Sequence, residues 1–177
     1  MTSSTLLSSE EIKLAVNRIS LQVLEHNQSL DKVCIVGIHT CGVFLAQRIQ
    51  KIIEQQTSHL TPYGSLDINL YRDDWSLITQ NPVVKTSDIS FSIEGMDIIL
   101  VDDVLFTGRT IRAAMEALMD YGRPRSVQLA ILVDRGGREL PIQADYVGLT
   151  TTVRSDERIQ VMFQENDGRD EVVLQQS

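Results

Sequence analysis

The sequence predicts an α/β fold: a mostly parallel, twisted sheet with helices on both faces. Apolar runs of strand length alternate with stretches whose apolar residues recur at helical spacing through most of the 177 residues. The runs at 32–37, 98–101 and 126–133 are almost continuously apolar, which is typical of strands covered on both faces. Strands that alternate with helices in this way indicate a parallel sheet.

Each predicted element has recognisable boundaries. Ser8, followed three residues later by Glu11, forms a capping-box pattern before the first helix, and Gly122 with Pro124 ends the third. In chain order the sequence predicts a helix with apolar positions at 12–24, a strand at 32–37, a helix at 43–53, strands at 65–71 and 98–101, a helix at 111–118, a strand at 126–133, and shorter strands at 145–148, 159–163 and 172–174, the last at a sheet edge.

One segment breaks the alternation of strands and helices. Residues 72–95 lack clean periodicity and carry charges together with Pro82. A loop of that length inside a compact domain is usually a lid, a binding loop or a hairpin arm. Because no internal repeat or second domain is visible, we expect a single domain over residues 1–177 with a flexible arm at about 72–95.

Composition and charge argue against several classes of protein. No apolar run is long enough to span a bilayer, and the N-terminus lacks the basic start and apolar run of a secretory signal, so a cytoplasmic protein is expected. Cys34 and Cys41 are interpreted as free thiols, and no His/Cys cluster has zinc-ligand spacing. The formal net charge of −8 argues against broad, non-specific binding to nucleic acid, although it is compatible with a local basic patch.

The run at 97–110 is the most informative part of the sequence. An apolar strand ends in Asp102 and Asp103, and a short loop then opens a helix through Thr107-Gly108-Arg109-Thr110. Unpaired N–H groups and the positive end of the helix dipole favour an anion there, and Gly108 lets the backbone turn closely around a phosphate. Helix capping by threonine would by itself explain the last four residues equally well.

The two adjacent carboxylates make a ligand site the better hypothesis. Side by side at a strand end, they repel one another and resist burial unless a ligand, a metal or a donor compensates. Ribose hydroxyls donate hydrogen bonds to carboxylates, and Mg²⁺ prefers carboxylate, phosphate and water oxygens. Open α/β sheets bind ligands at the carboxyl edge of their strands. A phosphorylated ribose suits this combination, whereas the alternative is a pair of helix-capping or solvated aspartates.

The strand, the paired aspartates and the Thr-Gly-Arg-Thr turn resemble the 5-phosphoribosyl-1-diphosphate (PRPP) motif of the type I phosphoribosyltransferases. Further segments resemble the PyrR family, the bifunctional pyrimidine operon attenuators and uracil phosphoribosyltransferases. They are 70–74 (LYRDD), 101–114, 122–124 (GRP), 129–136 (LAILVDRG) and 138–146 (RELPIQADY). The similarity runs from about residue 10 to 165, and it implies a type I phosphoribosyltransferase fold with a flexible hood or arm.

The resemblance implies a reaction and a set of site residues. The reaction is transfer of phosphoribose from PRPP to N1 of uracil, giving UMP and diphosphate, with Mg²⁺ held by PRPP, Asp102 and Asp103. The implied catalytic residues are Asp102, Asp103 and Arg72, the last facing the departing diphosphate. The other implied site residues are Val104, Leu105, Phe106, Thr107, Gly108, Arg109 and Thr110 around the 5-phosphate, His39, Thr40, Cys41 and Gly42 in the pyrophosphate loop, and Val133, Asp134 and Arg135 beside the uracil.

The pyrophosphate loop departs from the family pattern. The family usually carries arginine where this chain has Cys41, and the loss of that cation predicts a weaker hold on diphosphate unless Arg72 or the divalent ion compensates. His39 supplies only partial positive charge. The glycines at the two ends of this loop allow close backbone approach to a ligand, but a simple strand-to-helix turn would explain Gly42 equally well.

The resemblance also implies an RNA partner. PyrR proteins regulate pyrimidine nucleotide biosynthesis genes by uridine-nucleotide-dependent (UMP/UTP) binding to pyr leader mRNA, and they form homodimers or higher homo-oligomers. Leu21, His26 and Gly137 stand where the family tends to have His, Arg and His, and each lost cation weakens RNA binding. The candidate RNA contacts that remain are Arg18, Arg138 and Arg154, with solvated surface arginines as the alternative reading.

Three functions therefore stay open at this point. The first is a regulator that binds RNA and also has uracil phosphoribosyltransferase activity. The second is a uracil phosphoribosyltransferase that has lost RNA binding. The third is an RNA-binding nucleotide sensor whose catalysis is vestigial because of Cys41.

Overall fold

The computed structural model describes residues 3–73 and 86–176, so residues 74–85 of the predicted arm at 72–95 lie outside the described residues. Helices and strands alternate along much of the chain. In order they are β1 (Ser3–Leu7), α1 (Ser9–His26), β2 (Val33–Ile38), α2 (Cys41–Thr57), β3 (Tyr63–Leu66), β4 (Asp97–Leu105), α3 (Arg109–Met119), β5 (Ser126–Asp134), β6 (Tyr146–Thr150), β7 (Glu157–Met162), α4 (Gln164–Asp167) and β8 (Glu171–Gln176). Short 3-10 helices occupy Leu30–Lys32 and Asn69–Tyr71.

A five-stranded parallel sheet forms the centre of the fold, with strand order β3-β2-β4-β5-β6. Successive residues of β4 point to opposite faces. Ile99 and Val101 join the core formed with α1 and α2, whereas Ile98 and Leu100 join the core formed with α3. The predicted parallel sheet with helices on both faces is therefore confirmed.

A second sheet joins the two ends of the chain. It has three antiparallel strands in the order β1-β8-β7. The prediction that 172–174 forms an edge strand is wrong, because β8 lies between β1 and β7. Strand β1 had not been predicted, and its SSTLL sequence is exposed at its first three residues, so it carries little of the apolar pattern that marks a strand.

Local side-chain hydrogen bonds explain one success and one error in the element boundaries. The capping box of α1 is present, with the Ser8 N–H donating to Glu11 Oε2 at 2.8 Å. The strand predicted at 65–71 ends early, at Leu66. The Asn69 N–H instead donates to Asp67 Oδ1 at 2.9 Å, and such a local bond offers the backbone an alternative to a strand ladder.

The two cysteines are free thiols, and Cys34 is buried in β2. Within residues 3–73 and 86–176, no helix is long and apolar enough to cross a membrane.

Candidate active site

The order of the strands places a crevice between β2 and β4. From β2 the sheet extends outward to β3, and from β4 it extends in the other direction through β5 to β6. Ligands of open α/β sheets bind at such a switch point, outside the carboxyl ends of the strands. The turns that leave the two strands, residues 39–40 after β2 and residues 106–108 after β4, therefore flank one site.

The predicted pyrophosphate loop is short, because α2 already begins at Cys41. A Cβ on Gly42 would lie 2.5 Å from the Val101 carbonyl oxygen and 3.3 Å from Asp102 Oδ1. A Cβ on Gly37 would lie 2.6 Å from the Gly42 carbonyl oxygen. Both glycines are thus required by the close packing of α2 against β2 and β4, which brings the start of α2 beside Asp102.

Asp102 and Asp103 lie within β4 rather than after it, because the strand continues to Leu105. Asp102 is only 6% exposed, and its Oδ1 accepts the Asp103 N–H at 3.0 Å. Burial raises the pKa of the Asp102 carboxyl well above its ordinary value, Asp103 adds to the shift, and the charge of Arg72 opposes it. The ionised form of Asp102 therefore needs a compensating donor or cation.

A cleft of about 590 Å³ opens beside the turn at 106–108. Gly108 precedes α3 with a φ of 91°, and Thr107 Oγ1 accepts the Arg109 N–H at 3.2 Å. The cleft contains Arg72 and Arg109 together with the carboxylates of Asp73 and Glu139, and it opens at the amino-terminal end of a helix, a position that favours an anion. Its lining consists of Arg72, Asp73, Val104, Leu105, Phe106, Thr107, Gly108, Arg109, Thr110, Ile111 and Glu139.

Two carboxylates that the sequence analysis had not assigned to the site hold Arg109. Its Nε donates to Glu139 Oε2 at 2.6 Å, and its Nη1 donates to Asp73 Oδ2 at 2.7 Å. The Thr107 carbonyl also accepts the Glu139 N–H at 3.0 Å, which fastens the turn to the segment after β5. The only signal for these residues was their place in the YRDD and RELPI segments, since ion pairs between distant residues leave no local pattern.

The predicted uracil residues lie beside the same turn, at the end of β5. The parallel register pairs Val104 with Val133, and the Arg135 N–H donates to the Leu105 carbonyl at 3.1 Å. The Arg135 guanidinium stacks on Phe106, 4.0 Å from the ring centroid. Residues 133–135 are not among the described residues that line the 590 Å³ cleft, and the Val133 side chain is fully buried in the core.

Gly137 determines where Phe106 can lie. Its φ is 77°, and a Cβ there would be 2.6 Å from Phe106 Cε2. A histidine at this place, as in the family pattern, is incompatible with the observed position of the Phe106 ring. A side chain at position 137 would therefore require the Phe106 ring, on which Arg135 stacks, to shift.

Cys41 lies half-buried among acidic side chains. Burial raises the pKa of its thiol to about 12, and Asp103, Asp167 and Asp102 shift it in the same direction. The thiol is therefore protonated at neutral pH. The neutral thiol of Cys41 therefore lies in a negative potential, at the position where the family usually carries arginine.

The three arginines predicted to contact RNA have partners within the chain, and their RNA contacts stay a prediction. The partners are the Gly148 carbonyl for Arg18, the Asp134 carboxylate for Arg138 and the Glu157 carboxylate for Arg154.

The fold is that of a phosphoribosyltransferase. A family model described as a phosphoribosyl transferase domain matches residues 2–166. A hypoxanthine phosphoribosyltransferase of Trypanosoma cruzi is similar in structure, with a TM-score of 0.73 and 16% identity over 97% of this chain and 90% of that one. A hypoxanthine-guanine phosphoribosyltransferase of Bacillus anthracis gives 0.72 and 16% over 98% of each chain. The predicted type I phosphoribosyltransferase fold is thereby confirmed.

Proteins of similar sequence show which family of phosphoribosyltransferases the chain belongs to. The chain is 46% identical to the protein of Syntrophobacter fumaroxidans named Bifunctional protein PyrR, over 99% of this chain and 94% of that protein. Proteins of the same name are 48% identical in Caldicellulosiruptor bescii (97% and 94% covered) and 52% identical in Bacillus cereus (97% and 96% covered). The chain belongs to the PyrR family of phosphoribosyltransferases.

Proposed function

We propose that this chain transfers the phosphoribosyl group of PRPP to N1 of uracil, giving UMP and diphosphate, and that it regulates pyrimidine nucleotide biosynthesis genes by uridine-nucleotide-dependent binding to pyr leader mRNA. The observation that carries the proposal is an identity of 46–52% to proteins named Bifunctional protein PyrR over 97–99% of this chain. The cleft beside α3 and the buried carboxylate in β4 support the proposal, because a helix end favours an anion and a carboxylate can accept hydrogen bonds from ribose.

PRPP would bind across the carboxyl ends of β2 and β4. The 5-phosphate would lie at the first turn of α3, where the helix dipole and Arg109 favour negative charge. The ribose hydroxyls would donate to Asp102 and Asp103, giving the buried carboxylate the hydrogen bonds that favour its ionised form. The diphosphate would lie toward the loop at 39–42, which the packing of Gly42 brings beside Asp102.

The reaction breaks the bond between C1 of the ribose and the diphosphate, and negative charge develops on the leaving group as an oxocarbenium-like ribose forms. Stabilising that charge is an electrostatic and positional task. Arg72, which lines the cleft, would meet the leaving diphosphate with its guanidinium. Uracil would approach along residues 133–135, where backbone groups at the end of β5 can read its edge.

The donor set near the ribose fits Mg²⁺ that is bound mainly through substrate. Asp102 and Asp103 offer carboxylate oxygens, and the described part of the chain has no cluster of three or more His, Cys, Asp or Glu side chains that could hold a metal ion. Oxygens of PRPP and water would complete the coordination, as Mg²⁺ commonly requires. The bound ion would add positive charge where the diphosphate departs.

We further propose that residues 1–177 form one domain, that the protein is cytoplasmic and that it forms homodimers or higher homo-oligomers. In the RNA-bound form, Arg18, Arg138 and Arg154 would contact phosphates after exchanging their present partners, so we expect binding to weaken steeply with added salt.

Two measurements on the purified protein test the proposal. UMP formation from PRPP and uracil with Mg²⁺, followed by chromatography, tests the transferase, and a gel shift of pyr leader RNA with and without UMP tests the regulator. Both activities support the full proposal. UMP formation without RNA binding leaves only the enzyme, and RNA binding without UMP formation leaves a nucleotide sensor. Transfer to a different base would overturn the choice of uracil.

The double variant Asp102→Asn, Asp103→Asn tests the ribose assignment. It should abolish PRPP binding in isothermal titration calorimetry, because neither amide supplies the negative charge that the ribose hydroxyls and the metal need. An unchanged PRPP affinity would remove these residues from the ribose site.

A further inference from the structure

Residues 71–73 are fastened to α3 by its two arginines. Arg112 Nη2 donates to the Tyr71 carbonyl at 2.7 Å, and Arg109 Nη1 donates to Asp73 Oδ2 at 2.7 Å. Arg112 Nε lies 3.9 Å from the same oxygen of Asp73. One carboxylate of this segment is therefore in reach of both guanidinium groups.

The arginine pair is held from other directions as well. Arg109 and Arg112 are three residues apart and therefore share a face of α3. Arg109 Nε donates to Glu139 at 2.6 Å, and Arg112 Nη1 donates to Glu116 at 2.7 Å. Each guanidinium thus keeps one carboxylate partner independently of Asp73. These partners orient the two arginines toward the Asp73 side chain.

The backbone then determines where Arg72 lies. Arg72 is extended, with φ −70° and ψ 141°. Arg72 lies between the Tyr71 carbonyl and Asp73, which are both held by arginines of α3. Arg72 and Asp73 both line the cleft, and the charge of Arg72 acts on Asp102. Holding the chain on either side of Arg72 therefore limits where its backbone can lie.

We propose that Asp73 is a positioning residue for the transferase reaction: bound by Arg109 and Arg112, it holds Arg72 where the diphosphate departs. The inference rests on the proposed function. Asp73 acts through Arg72 and makes no bond to the reacting atoms. Since Arg109 is also in the first turn of α3, where the 5-phosphate would lie, the proposed 5-phosphate site and the placement of Arg72 share one side chain.

A double-mutant cycle tests this inference, using Arg72→Ala, Asp73→Asn and the two combined. We expect Arg72→Ala to lower kcat about 100-fold, the scale of losing one group that stabilises developing charge. Asp73→Asn should lower kcat about tenfold through misplacement of Arg72, with less than about a twofold change in the KM for PRPP. The combined variant should match Arg72→Ala alone, because Asp73 then has nothing to position.

The controls separate positioning from a general effect of charge or folding. Asp156→Asn removes a carboxylate from an exposed ion pair with Arg154 and changes the net charge equally, so it should leave kcat unchanged. Asp73→Glu should restore part of the lost rate. The inference would be overturned if the losses of kcat in Arg72→Ala and Asp73→Asn multiplied in the combined variant. A kcat for Asp73→Asn equal to that of the parent would overturn it as well.

The same cycle is run on equilibrium binding of diphosphate with Mg²⁺, by calorimetry. Affinity should fall in Asp73→Asn, and it should fall no further in the combined variant than in Arg72→Ala. A parent protein that binds diphosphate but makes no UMP would contradict the proposed function. The binding cycle would still show whether Asp73 positions Arg72. Independent losses of affinity, or diphosphate affinity unaffected by either substitution, would contradict the positioning role.

Discussion

Replacing Gly42 with alanine tests whether the packing of α2 on β4 sets the geometry of the active site. The added Cβ would lie 2.5 Å from the Val101 carbonyl oxygen and 3.1 Å from the Asp102 Cα. Both neighbours are backbone atoms of the central strand, so neither can rotate away as the end of a side chain would. The start of α2 must therefore move outward, and the loop at 39–40 moves with it.

The expected loss of stability and of rate follows from how far the added Cβ falls short of van der Waals contact. Ordinary van der Waals contact begins at 3.4 Å, so the helix end must shift by about 0.9 Å. Overpacking of this kind costs about 1–3 kcal/mol, and each kcal/mol lowers the Tm of a domain of this size by about 2–4 °C. A shift of about 1 Å beside the reacting bond also costs on the order of 100-fold in rate.

Thermal unfolding followed by circular dichroism measures the first effect, and PRPP affinity with initial UMP formation rates measures the second. Gly95→Ala is the matched control, because Gly95 has a φ of 70° but no atom within 4 Å of an added Cβ. It should lose about 1 kcal/mol from backbone strain and leave PRPP affinity unchanged. A Gly42→Ala protein with parental Tm and parental kcat would refute the reasoning.

Three further substitutions have definite expected outcomes. Asp102→Asn should raise the free energy of unfolding at neutral pH. The pKa of the Asp102 carboxyl is raised in the folded protein, so the cost of ionising it there grows as the pH rises above the pKa of the unfolded chain. Urea titrations should therefore show a larger gain at pH 8 than at pH 5. Cys41→Arg should raise kcat/KM for PRPP, and no gain would mean that the missing cation is already compensated. Arg48→Met should lower the free energy of unfolding by about 1 kcal/mol, because Glu165 and Asp170 lose a shared partner that solvent partly screens; an unchanged free energy of unfolding in denaturant titration would contradict this.

The central sheet could be predicted because its signal is local. The strands β2, β4 and β5 each contain a run of at least four consecutive apolar residues, and the capping box at Ser8 marks a helix start within four residues. The second sheet could not be predicted, because its pairing is long-range. β1 pairs with β8, joining Ser3 to Gln175 across almost the whole chain. Short strands of weak apolar pattern contain no information about so distant a partner.

The candidate active site also has a part that could be predicted and a part that could not. The turn at 106–108 and Asp102 were predictable because a strand, two carboxylates and a helix start follow one another within the run 97–110. The ion pairs of Arg109 with Asp73 and Glu139 join residues 36 and 30 positions apart, so only the folded chain reveals them. The burial of Asp102 is also a property of the fold, since α2 covers it through the close approach of Gly42.

These contacts lead us to expect that Asp73 contributes more to the reaction in this chain than it would in a relative with arginine at position 41. Asp102 is buried in a site that contains further carboxylates, and the charge of Arg72 is a cationic influence that opposes its raised pKa. A relative with arginine at the position of Cys41 has a second cation on the diphosphate side, whereas the protonated thiol here contributes none. Under the proposed function, positive charge for the leaving group would then come from Arg72 and from a metal bound with PRPP. The Cys41→Arg variant should therefore reduce the loss of kcat caused by Asp73→Asn, and an undiminished loss would show that the two positions act on different steps.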